Sequence, residues 1–196
     1  LYNANAIINN GVLFTENTGL PASALYPGLE LVTAALVSLS GMSVFHAGLV
    51  VIGVARLVLV LAVYLLLEEI SGSARVAGVA MALYMTHPNF LFWTAQFSYE
   101  SLSLPLALGI FVAVARRDRV TEPAHAGGFT VLALLGIGAV VVTHHLTSYF
   151  LAAFLSLWSI MAAWRLQDLF RDLTMTLIDW RKSPHIVRRF WFLLRT

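Results

Sequence analysis

The chain has 196 residues, of which 59% are hydrophobic and only 11% charged, and its mean hydropathy is +0.82. A soluble domain carries about 25% charged residues, so this composition excludes an ordinary soluble fold. It predicts an all-α, polytopic transmembrane helical bundle, in which each backbone polar group is satisfied inside its own segment.

The apolar runs are too numerous to be a single signal peptide. Zero cysteines exclude disulfides and thiolate metal sites. A net charge of +2 would suggest a nucleic-acid partner only if the cations shared a soluble face, and they lie in loops between apolar runs instead. The chain is read as part of a longer protein, because Leu1 is not an initiator and the sequence stops inside an apolar-basic run.

In chain order, residues 1–26 are polar and rich in Asn, with Gly11, Gly19 and Pro21 as turn formers, and predict a short helix followed by an irregular loop. Residues 28–40 predict a helix closed by Gly41. It is short for crossing about 30 Å of hydrocarbon, which needs about 20 residues, so a juxtamembrane or re-entrant placement is expected. Five spans follow: residues 44–67 with Arg56 near the middle, the Ala- and Gly-rich stretch 73–85, then 102–115, 129–142 and 146–164. Small residues in the second of these allow close helix approach. From Arg165 the chain turns basic and amphipathic. This divides a bundle, 1–164, from a membrane-surface segment, 165–196.

If the spans alternate, every Lys and Arg except Arg56 falls on one side, which the positive-inside rule makes cytoplasmic. The expected setting is a multi-pass protein of a bacterial plasma membrane with a cytoplasmic basic segment. The opposite, outer side then collects Glu30, His46, His87, Asn89, Gln96, Tyr99, Glu100, His144 and His145, with Arg56 beneath them. His125 and His185 go inside.

Ionisable groups inside a bilayer are expensive and commonly functional. Arg56 reads either as a site for an anionic phosphate or as half of an ion pair with Glu30 or Glu100. Glu100 reads as a general base or metal ligand, or as a helix N-terminal carboxylate with Ser98 as cap. His144 and His145 with a carboxylate would suit a divalent ion. No spacing matches a metal motif, so no metal ligand is assigned and the cofactor stays open. Thr147 is a candidate cap for the fifth span. Phe90, Phe92, Trp93, Phe97 and Tyr99 read as an aromatic belt. Glu68 and Glu69 read as a solvated cytoplasmic face. There is no dinucleotide fingerprint, P-loop, nucleophile elbow or zinc-protease helix.

The segments Leu25-Tyr26-Pro27-Gly28-Leu29-Glu30, Ala55-Arg56-Leu57, Ser71-Gly72-Ser73-Ala74-Arg75-Val76-Ala77 and Pro88 to Glu100 resemble polytopic GT-C-type glycosyltransferases. That class includes protein mannosyltransferases and lipid A aminoarabinose transferases, and the likeness covers about residues 1–164. It implies transfer of a sugar from a polyprenyl-phosphate donor at the outer membrane face, with membrane lipids as partners. By the resemblance, Glu100 sits where members carry a second acidic residue and Arg56 where they carry an Arg in the following span. The main catalytic acid is expected upstream of Leu1. A transporter of lipid-linked glycans, with a polar path reaching both sides, and a non-catalytic scaffold with scattered polar groups are the alternatives.

Overall fold

A computed structural model describes residues 1–182, Thr15 and Leu20 excepted, and among them there is no strand. Eight helices follow in order: α1 Tyr2–Asn10, α2 Gly28–Ser40, α3 Val44–Ser71, α4 Ala74–Met85, α5 Pro88–Leu91, α6 Tyr99–Arg117, α7 Pro123–Thr143 and α8 His145–Lys182. Short 3-10 turns occupy Pro21–Leu25 and Trp93–Ala95. The chain divides into two compact units, Leu1–Leu151 and Ala152–Thr196. The first is the packed bundle. In the second, α8 continues to Lys182, and the expected surface placement of 165–196 lies outside the described side chains.

Among the described residues, four helices are long and apolar enough to cross a membrane: α3, α6, α7 and the His145–Trp164 part of α8. Their outward residues are large and apolar, for example Leu57 and Leu61 on α3 and Leu132 and Leu135 on α7. Water would not tolerate so much exposed apolar area, whereas lipid does. The bundle is therefore all-α and of membrane type.

The expected second span, 73–85, matches α4 in its bounds but is too short to cross on its own. Helix α4 has 12 residues, about 18 Å at 1.5 Å per residue, and it stops because His87 starts a new turn with Pro88 at its first position. Proline fixes φ and disfavours helix in the residue before it. The return leg is thus three pieces: α4, α5 and the 3-10 turn. Helix α2 matches its expected bounds and ends at Gly41, whose φ of 71° is the left-handed conformation that glycine adopts without strain.

Helices α3 and α6 run parallel. At one end the Phe97 ring lies against Gly48, and at the other Arg116 meets Glu69. Helix α7 returns antiparallel to α6, with Gly136 giving Ile110 room: a Cβ there would lie 2.7 Å from Ile110 Cγ1. Leu29, Val51 and Ile52 form a core that Leu36, Phe97, Tyr99 and Leu102 pack against.

Glu69 is not a solvated face. Its side chain is 12% exposed and bonds Arg119 at 2.6 Å and Arg116 at 3.3 Å. The expected long loop from Arg116 to Gly128 is in fact residues 118–122, since α6 runs on to Arg117 and Pro123 opens α7.

Candidate functional site

The polar residues of the sequence meet at one end of the bundle, where the starts of α2 and α6 face the junction of α7 and α8. Gly28 makes this approach possible. A Cβ there would lie 2.9 Å from Thr143 Cα and 3.0 Å from Val142 O, with Thr143 Oγ1 closer still. The junction itself is one extended residue, His144 (φ −158°, ψ 118°), whose N–H still donates to Val140 O at 2.9 Å.

His144 is buried, its side chain 9% exposed, and the Glu100 carboxylate beside it is 55% exposed. His144 Nε2 lies 3.5 Å from Glu100 Oε1, long for a hydrogen bond in the free state. Its Nδ1 lies 2.8 Å from Thr147 Oγ1, which lies 2.9 Å from Ser103 Oγ. One arrangement satisfies every group with a neutral ring: Ser103 donates to Thr147, Thr147 donates to Nδ1, and Nε2–H points at Glu100. Burial lowers the His144 pKa, the Glu100 charge works against this, and His145 adds to the lowering. The ring is therefore an oriented, neutral donor facing an accessible carboxylate. Thr147 does not act as a helix cap here; its hydroxyl bridges α8 to α6.

A second carboxylate lies deeper. Glu30, 4% exposed, accepts from the Tyr99 hydroxyl at 2.8 Å and from Asn3 Nδ2 at 3.5 Å. Asn3 also donates to Ser23 Oγ at 2.9 Å and accepts from Asn17 at 2.8 Å. Burial raises the Glu30 pKa, against backbone, Tyr99 and Asn3 hydrogen bonds that favour the charged form. The Tyr99 ring stacks on His144, with centroids 6.3 Å apart and 12° between planes. Tyr99 thus touches both carboxylate systems.

Other expected site residues fall elsewhere. Arg56 lies midway along α3, donates from Nη2 to Phe90 O at 3.2 Å and sits 4.6 Å over the Phe90 ring. Neither expected ion pair, with Glu30 or Glu100, is among the described contacts. The guanidinium instead ties down the break between α4 and α6, where Thr94 also donates to Phe90 O (2.7 Å) and Ser101 to Trp93 O (3.2 Å). Backbone outside a helix at membrane depth needs such donors. Residues around Phe90 are therefore level with Arg56, not above it as expected, and Phe90 is buried in the bundle. Phe92 and Trp93 do face outward, edge to face at 5.3 Å.

His145 is exposed and packs on Tyr26 at 4.8 Å and on His144 at 5.2 Å. His87 is exposed and caps α5 by accepting from Asn89 N at 3.2 Å. Gln96 is half-buried at the end of the 3-10 turn, and His46 meets Ser43 at 2.8 Å at the start of α3. Ser98 is the cap of α6 by position, but its hydroxyl meets Ser101 Oγ at 3.0 Å rather than a backbone N–H. Among the described residues, no three His, Asp or Glu side chains gather as metal ligands.

Asn3, Ser23 and Ser103 belong to the site without having been picked out in the sequence, and Thr147 had been read only as a helix cap. Ser103 carried one usable signal: it is a hydroxyl, with Ser98 and Ser101, in the first turns of an otherwise apolar helix.

No family model matches the chain, and comparison with curated proteins and with solved structures gives no match.

Proposed function

We propose that the chain is the membrane-embedded part of a transferase that moves a sugar from a polyprenyl-phosphate-linked donor to an acceptor hydroxyl, at the membrane face where Glu100 opens. The observation that supports this most is the exposed Glu100 carboxylate 3.5 Å from a buried imidazole held on its far side by Thr147. A carboxylate so placed can take a proton from an acceptor, alone or with an acid upstream. The acceptor oxygen then bonds to the anomeric carbon, its proton passes to Glu100, and the bond from that carbon to phosphate oxygen breaks. The phosphate leaves with the electron pair.

Charge on the leaving phosphate calls for cationic or hydrogen-bond-donating partners. Arg56 is engaged with Phe90, so in this reading ring N–H groups of His145 and of the neutral His144 donate to the phosphate. Between α2, α3 and α6 lies a cavity of about 410 Å³ lined by apolar residues such as Val32, Leu36, Val54, Leu102 and Leu106. That lining suits an isoprenoid chain. A transporter would need a polar path joining both ends, and the polar groups here gather at one. Arg116 and Arg119 meet Glu69 at the opposite end, with Arg117 beside them, and by the positive-inside rule this supports a reading with Glu100 on the outer side.

The test is sugar transfer by the full-length protein in liposomes supplied with a polyprenyl-phosphate sugar. Glu100→Gln keeps the shape and removes the base, and turnover is expected to drop roughly 100-fold or more. Unchanged turnover would remove Glu100 from the mechanism.

A further inference from the structure

The Glu30 cluster has a property that the transfer reaction does not use. The two side-chain hydrogen bonds to the carboxylate both enter Oε1, from Tyr99 and Asn3, and a backbone hydrogen bond also favours its charged form, while Oε2 is buried with no side-chain hydrogen-bond partner. No Lys, Arg or His among the described residues forms an ion pair with it. The one positive charge it feels is the amino group of Leu1, which any preceding residue removes. A buried charge without a partner costs several kcal/mol, so the second oxygen needs a positive occupant.

A proton on Oε2 would neutralise the acid, yet its O–H would then be a buried donor with nothing to accept it. A cation meets the need more completely, because the surroundings are oxygen-rich: Ser23 Oγ, the Asn3 amide and the Tyr99 hydroxyl all lie within the same hydrogen-bonded network. A half-turn of the Asn3 amide, with the matching turn of Asn17, would point Asn3 Oδ1 at Ser23 and Glu30, at the cost of the bonds that Asn17 makes to Gly19 N (3.0 Å) and Ser23 Oγ (3.2 Å). Beside Asn3 and Ser23 is a cavity of about 10 Å³, also lined by Ile7, Phe14 and Pro27. It has room for about one water, on the Asn3–Ser23 side of the cluster. Oxygen-only donors select hard cations. With a single carboxylate, a monovalent ion leaves the buried site neutral, whereas a divalent ion leaves it charged.

We propose that Glu30, Asn3, Ser23 and Tyr99 form a binding site for a small monovalent cation of the Na⁺ class, which joins α1, the 3-10 turn at Pro21–Leu25, α2 and α6. The site stands apart from the sugar-transfer reading, since it needs neither Glu100 nor His144. Cation occupancy would hold Tyr99 against His144 and so steady the exposed site next to it.

The experiment is thermal unfolding of the full chain in detergent, with a residue preceding Leu1. NaCl is exchanged for N-methyl-D-glucamine chloride at constant ionic strength. The midpoint should rise with Na⁺ and saturate, by roughly 5 °C or more at 100 times the dissociation constant. Glu30→Gln, which mimics the neutral acid in shape, should fold and show no dependence on Na⁺. Asn3→Ala should move the half-saturating concentration upward. A ²³Na line-width titration of the unmutated chain, with broadening lost in Glu30→Gln, reads the ion directly. A midpoint indifferent to Na⁺, one that responds equally in Glu30→Gln, one that rises only with Ca²⁺, or one that rises only on acidification would each overturn the assignment.

Discussion

Gly28→Ala is the sharpest structural test of how the site is assembled. The new methyl carbon would meet Thr143 Cα at 2.9 Å and Val142 O at 3.0 Å. These are backbone atoms in the last turn of α7 and cannot swing aside as a side-chain tip can. Ordinary contact begins near 3.4 Å, so α2 and α7 must separate by about half an ångström along this line. Forcing extra volume into a packed contact costs about 1–3 kcal/mol, which for a chain of this size lowers the midpoint by roughly 2–12 °C. Gly53→Ala is the control. Nothing lies within 4 Å of its added carbon, and in a helix interior Ala is favoured over Gly by up to about 1 kcal/mol. Thermal unfolding of both variants in the same detergent measures the difference. A Gly28→Ala chain as stable as the parent would refute the close approach of α2 to α7, and with it the route by which Glu30 reaches Tyr99.

Arg56→Lys keeps the charge but loses the fork that reaches the Phe90 carbonyl while covering its ring. It should lower stability by about 1–2 kcal/mol, whereas a phosphate-binding Arg56 would instead change donor affinity at unchanged stability. Burial holds the His144 pKa down, so the unfolded chain takes up the proton more readily. The contribution of His144 to stability is then complete above the unfolded value near 6.5 and is lost as pH falls through the folded one. His144→Gln should flatten the unfolding midpoint against pH in that acid range; an unaltered slope would contradict it. Glu69→Gln removes the charge between Arg116 and Arg119, and because both guanidiniums are partly solvated the expected loss is about 1 kcal/mol. Chemical denaturation reads that loss, and no change would mean that the three charges are solvated separately.

Much of the fold was legible because the signals were one-dimensional. Long apolar runs mark α3, α6, α7 and the first part of α8, and Gly41 and Gly72 mark helix ends with φ of 71° and 66°. The run 73–85 was right in its bounds but wrong as a span, because its 12 helical residues are too few to cross. The Thr86-His87-Pro88 break ends α4 at 12 residues, and the remaining rise is made by irregular backbone anchored on Arg56. For the same reason Arg56 was read as a partner for a carboxylate. A cation at membrane depth needs an acceptor, but a free backbone carbonyl leaves no mark in the sequence. At the site, Glu30, Tyr99, Glu100, His144 and His145 were legible from charge sorting alone, since they share the end without Lys or Arg. Asn3, Ser23 and Ser103 were not, and Thr147 was legible only as a cap. Each joins through contacts spanning 20 to 44 residues of chain, and neutral hydroxyls and amides carry no charge signal.

The arrangement in two opposed ends, acid–base groups at one and arginines at the other, is open to direct measurement because the chain has no cysteine. Glu100→Cys and Arg117→Cys, each alone in this 196-residue chain, are treated with a membrane-impermeant maleimide in intact cells and in inverted vesicles. Glu100→Cys should react only in intact cells and Arg117→Cys only in inverted vesicles. Labelling of both positions from the same side would contradict it.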